Sequence, residues 1–135
     1  MEGQPLGEGF TSFVCLHPIP MRQGMTVGEL ALLFNAEAEL ECDLEIVPMQ
    51  GWQRSFYWVD TGLPWSFPST GLPTLDSALA YAGMVIFEGS NISEGRGTTR
   101  PFELIGAPFI DPYALLRGIS EELPGVILQP YYFKP

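Results

Sequence analysis

The chain has 135 residues, enough for one domain with a core of its own and no need for a metal or disulfide staple. Six basic residues face sixteen acidic ones, a net charge of −10, which excludes general binding to phosphate backbones and disfavours anionic membrane surfaces. A hydrophobic fraction of 46% and an aromatic fraction of 13% exclude disorder as the default, while 15 Gly and 13 Pro predict a loop-rich fold.

In chain order, residues 1–9 read as an entering loop. No basic segment followed by an apolar one marks a signal peptide, so the compartment stays open. Residues 12–16 (Ser-Phe-Val-Cys-Leu) form an apolar run that predicts a buried strand, stopped by His17-Pro18-Ile19-Pro20. Thr26-Val27-Gly28-Glu29 has the form of a capping box, and Val27, Leu30, Ala31, Phe34 and Ala38 follow at helical spacing. Residues 43–49 read as a second strand, and the strand–helix–strand order points to an α/β fold of mixed strands and helices. The acidic residues at 37, 39, 41, 43 and 45 read as a solvated face rather than a calcium site.

Residues 50–73 carry six of the chain's aromatics among Gly and Pro, with no period, and predict a long ordered loop packed by its own rings. Thr74 caps a short helix to about residue 82, and 84–87 reads as a strand. A polar loop follows to Pro101, then a short strand at 102–105. Asp111-Pro112 starts a helix expected to reach about Leu123, and 126–133 reads as the last strand. Cys15 and Cys42 read as small buried hydrophobes. No apolar run approaches the length of a membrane span.

Chemistry concentrates in residues 88–103, Glu-Gly-Ser-Asn-Ile-Ser-Glu-Gly-Arg-Gly-Thr-Thr-Arg-Pro-Phe-Glu. The stretch follows an expected strand, and loops in that position bind ligands in α/β folds. Its Asn91, Thr98, Thr99, Arg96 and Arg100 offer the donors and acceptors that a polyhydroxylated or anionic ligand requires, and its glycines allow close backbone approach. The spacing is wrong for a phosphate loop. Glu88 and Glu94 could form the carboxylate pair of a glycosidase, with Glu94 the candidate catalytic group. Ion pairing to Arg96 and Arg100 is the competing reading of the same residues. The lone His17 excludes a His-rich zinc site, and the residues call for no metal and no cofactor.

Several stretches together resemble the bacterial NamZ-like (YbbC-like) exo-β-N-acetylmuramidase family. They are residues 12–31, from Ser-Phe-Val-Cys-Leu-His-Pro-Ile-Pro-Met-Arg to Leu-Ala, then Thr61-Gly-Leu-Pro-Trp65, Pro73-Thr-Leu-Asp76, the whole of 88–103 and Gly106-Ala-Pro108. The resemblance implies a piece of a two-domain protein. Residues 1–50 would end a Rossmann-like N-terminal domain, and 51–135 would belong to a C-terminal α/β domain. It implies a glycoside hydrolase that releases terminal N-acetylmuramic acid from peptidoglycan fragments. The lactyl carboxylate of that sugar would suit Arg96 or Arg100, and Arg22 lies in a matching stretch. The implied partners are the sugar and the N-terminal domain missing here, which holds the family's catalytic carboxylate, so this piece alone would be inactive. Gln23 stands where the family has a His. A non-catalytic carbohydrate- or carboxylate-binding module is the alternative.

Overall fold

A computed structural model describes residues 2–119 and 123–134, which form two units, Met1–Gly62 and Leu63–Pro135. The expected α/β fold is not what these residues form. Among the described residues, β pairing is confined to three isolated bridges, Glu2 with Arg22, Ser12 with Cys15 and Ser93 with Gly106, and no sheet is built. Helices and ordered loops make up the rest, so the Rossmann-like and mixed-sheet expectations fail together.

Each misread strand has a local reason. Ser12 and Cys15 exchange both backbone hydrogen bonds at 3.0 Å, which folds the 12–16 run back on itself as a tight turn and leaves Phe13 91% exposed. The 84–87 run continues a helix, tightening into a 3-10 turn over Val85–Gly89. Residues 43–49 and 126–133 are without ladder partners, and Val47 and Ile127 stand in solvent. Residues 102–105 hold a turn whose buried phenyl is described below. A short apolar run cannot by itself be told from a turn or a helix end, because only a neighbouring strand makes it β.

In Met1–Gly62, helix α1 spans Val27–Glu37. Its capping box forms as the sequence predicts. The Thr26 Oγ1 accepts from the Glu29 backbone N–H at 3.2 Å, and Glu29 Oε2 accepts from the Thr26 N–H at 2.7 Å. Arg54 then ties this start to the later loop, donating to the Gly24 carbonyl and to Glu29. Gly28 sits against Ile46, whose Cγ2 would lie 2.8 Å from any added Cβ, so the helix needs glycine there for close approach. His17 stacks on Phe34, with ring centroids 4.1 Å apart. The side chain of Asn35 brackets the backbone of Cys42 at 2.9 and 3.1 Å, standing in for a strand neighbour. Cys42 is exposed and Cys15 half-buried, so neither is the buried hydrophobe expected.

Thr26→Ala should therefore cost ~1 kcal/mol, read as a lower unfolding midpoint. The Arg54 hydrogen bond, then the Thr26 N–H, hold the Glu29 carboxyl below its ordinary value of 4.5. A folded-state pKa lowered in this way stabilises the fold above the unfolded value and stops doing so as pH falls through the folded one. Stability measured from neutral pH downward should fall below about pH 4.5, and Glu29→Gln should flatten that decline. An unchanged slope would mean that the pair contributes nothing.

In Leu63–Pro135, helix α2 spans Leu75–Met84 and α3 spans Pro112–Gly118. Thr74 caps α2 as expected, accepting from the Ser77 N–H at 3.1 Å. Asp111 caps α3 through the Tyr113 and Ala114 N–H groups, with Pro112 in the first turn. The helix ends at Gly118 because Ile119 turns extended, short of the Leu123 expected, and 120–122 lie outside the described residues. Residues 50–73 are irregular as expected, with a 3-10 turn at Trp58–Thr61 in the first unit that ends on Gly62 in a left-handed conformation, but Trp52, Phe56, Tyr57 and Phe67 are exposed, so the rings do not pack into the miniature core that the sequence suggested. No helix among the described residues is long and apolar enough to cross a membrane.

Candidate functional site

The polar loop of residues 88–103 is also the core of its unit. Phe102 is 1% exposed, and its neighbours Glu94, Gly95 and Pro101 are buried with it. The Tyr81 ring from α2 meets Phe102 edge-on, with centroids 4.9 Å apart, and the Arg96 guanidinium lies over the same ring at 5.3 Å. To aim its phenyl inward, Phe102 adopts a φ of +66°, a left-handed conformation that is costly for a residue with a Cβ. Its N–H donates to the Glu94 carbonyl at 2.6 Å, so burial and this bond together hold the strained residue. Gly95, at φ +82°, has no room for a side chain. An added Cβ would lie 3.0 Å from Leu104 and 3.1 Å from the Arg100 carbonyl.

Ion pairs cross-brace the loop. Arg96 pairs with Glu88 through Nη2 and with Glu94 through Nε at 3.1 Å, so both carboxylates reach one guanidinium. Arg100 Nε pairs with Glu103 Oε2 at 3.1 Å. The other Glu103 oxygen accepts from Thr74 and Ser77 at 3.2 and 3.0 Å, which pins the loop's end to the cap of α2. The Thr98 hydroxyl donates to the Gly95 carbonyl at 2.6 Å and accepts from the Arg100 N–H at 3.1 Å. Five of the loop's polar groups are thus engaged with one another, and the competing reading of internal ion pairs describes their geometry.

What remains available is narrower than composition suggested. Arg96 and Arg100 are both more than half exposed, and their pairs leave the Nη1 donors of Arg96 and both terminal nitrogens of Arg100 outside them. Asn91 and Thr99 are exposed, and neither side chain has a hydrogen-bond partner among the described residues. Glu94 is 8% exposed and faces Arg96, which suits it to holding that arginine. Arg22 belongs to the other unit, where it pairs with Glu2 beside a two-residue backbone bridge. Among the described residues, no group of three His, Cys, Asp or Glu side chains could hold a metal ion.

Sequence reasoning missed a cleft of about 330 Å³ in the same unit. The Ser93–Gly106 bridge, with bonds of 2.8 and 3.0 Å, lies in its lining, together with Asn91, Tyr131, Tyr132 and Phe133. Those three aromatics fall in the stretch that reads as the last strand. The signal that could have found them is Gly106, against which the Phe133 ring packs so closely that a Cβ would meet it at 3.1 Å.

Two family models match the chain. Residues 1–76 fit the N-terminal part of exo-β-N-acetylmuramidase NamZ, and residues 79–135 fit its C-terminal part. Over its whole length the chain is 48% identical to the peptidoglycan β-N-acetylmuramidase NamZ of Bacillus subtilis (strain 168) and spans about a third of that protein, 33%. No solved structure matches.

Proposed function

Because the chain belongs to the exo-β-N-acetylmuramidase NamZ family, we propose that it is part of a peptidoglycan-recycling glycoside hydrolase that releases terminal N-acetylmuramic acid. The observation that carries this reading is the 48% identity to a muramidase over the whole chain, a span that includes the braced loop. The loop's chemistry supports it. The exposed Arg96 and Arg100 carry free donors suited to a lactyl carboxylate, and Asn91, Thr98 and Thr99 suit sugar hydroxyls and amides. Glu94 is this chain's candidate catalytic carboxylate, and its burial behind Arg96 suits it equally to fixing that arginine's position. Arg22 is a further candidate substrate contact.

In this reading the chain works with the rest of a longer protein. The test is to assay this chain and the complete reading frame that encodes it on a chromogenic N-acetylmuramide. The expected result is turnover by the complete protein and none by the 135 residues alone. Sugar binding without turnover by the complete protein would favour a non-catalytic binding module. Turnover by the chain alone, abolished by Glu94→Gln, would place the whole active site here.

A further inference from the structure

We propose that Thr74, Ser77 and Glu103 are positioning residues that hold the Arg100 guanidinium in place, and that through it they set the protein's preference for an acidic sugar over a neutral one. This rests on the reading of Arg100 as a contact for the sugar's carboxylate. Glu103 divides its two oxygens between the inside of the unit and the loop surface. Oε1 accepts from the Ser77 hydroxyl at 3.0 Å and from the Thr74 hydroxyl at 3.2 Å, while Oε2 meets Arg100 Nε at 3.1 Å. Exposure rises along this line, from Ser77 at 0% through the Glu103 side chain at 15% to that of Arg100 at 62%. All four residues belong to one unit, so the line runs from the first turn of α2 out to the loop.

The cap of α2 does not require the acid. Thr74 Oγ1 accepts from the Ser77 N–H at 3.1 Å whatever its own proton does. Glu103 adds an acceptor for two hydroxyl protons, and that of Ser77 needs one because its hydroxyl is sealed from water. An Arg–Glu pair in solvent holds neither side chain firmly. Here the carboxylate is anchored from behind, so the pair has one fixed end. Holding the guanidinium at Nε fixes its plane and leaves Nη1 and Nη2 as a two-donor fork, the match for a carboxylate's two oxygens. At Arg96 the same fork is shared with Glu88. A loose arginine has to be immobilised when its ligand arrives, and one already held does not meet that cost.

The test measures the affinities of N-acetylmuramic acid and N-acetylglucosamine for the complete protein by calorimetry, with a melting curve for each variant. Ser77→Ala removes the buried hydroxyl and keeps the capped N–H. Glu103→Gln keeps the side chain's shape and removes its charge. Each should lower the preference for the acid by about two- to tenfold, the effect of having to immobilise one long side chain. Affinity for N-acetylglucosamine should hold, which a merely structural role would not predict. Arg100→Ala should remove more of the preference than either. If Arg100→Ala removes it while Ser77→Ala and Glu103→Gln leave it unchanged, or weaken both sugars equally, the positioning role is overturned and the Arg100 contact stands. A preference absent from the wild type, or unchanged in Arg100→Ala, would overturn both. Hydrolysis of the chromogenic N-acetylmuramide is measured separately. If it is absent while the preference still follows Ser77, Glu103 and Arg100, the muramidase reading falls and the positioning role stands.

Discussion

Replacing Phe102 with alanine is expected to destabilise the protein by ~3–5 kcal/mol, the range for deleting a fully buried phenyl ring. The ring is the one large side chain fully buried among the described residues, and three parts of the chain depend on it. Tyr81 on α2 packs on its edge, the Arg96 guanidinium covers its face, and its N–H holds the Glu94 carbonyl. The positive φ of Phe102 gives the experiment an internal control. Alanine removes the ring and keeps the left-handed strain, which is worth roughly 1–2 kcal/mol for a residue with a Cβ, whereas glycine removes both. Phe102→Gly should therefore be no less stable than Phe102→Ala, the reverse of the usual order for these two residues. Denaturant unfolding of the three proteins reads both effects. A loss below about 1 kcal/mol for the alanine variant would mean that the loop is held by its ion pairs and not by its ring.

The same residue shows where sequence was legible and where it was not. Helix starts could be read because their causes are local. Thr26 with Glu29, Thr74, and Asp111 with Pro112 each satisfy backbone donors within three residues, and all three caps form. The ends were harder, since Ile119 turns extended well before the last apolar residue of the pattern. The strands failed because β structure depends on a partner that no single run contains. Phe13, Val14 and Leu16 look like a buried strand until Ser12 and Cys15 pair with each other. Phe102 looked like a strand residue in the same way, and nothing in its neighbours announces a left-handed backbone. The polar loop stood out by composition, yet composition could not tell engaged groups from free ones. Glu88, Glu94 and Glu103 each found an arginine within the loop, which left open Asn91, Thr99 and the terminal donors of the two arginines that those pairs do not use. The aromatic cleft could not be read because it joins residues 91 and 131–133 through a bridge at Gly106.

Arg96→Ala should weaken N-acetylmuramic acid roughly ten- to hundredfold while changing N-acetylglucosamine much less, because only the first sugar carries a lactyl carboxylate for a charge-assisted bond. The loop's own charges make this a demanding test. Two guanidinium groups face three carboxylates, so an incoming anion meets a cluster that is already net negative. It must displace a resident partner rather than add to a vacant cation. Glu88 is the one that can yield, since its side chain is 37% exposed where that of Glu94 is 11% exposed. Glu88→Gln should accordingly leave N-acetylmuramic acid binding intact or strengthen it, by weakening the competitor for Arg96. Arg96→Lys should fail to restore the preference, because a single ammonium cannot hold Glu94 and a second carboxylate in the forked geometry of arginine. The readout is the ratio of the two sugars' affinities in each variant, which cancels any general loosening of the loop from the lost contact over Phe102. Equal losses for both sugars in Arg96→Ala, with no gain in Glu88→Gln, would show that the arginine only braces the loop against its own acids.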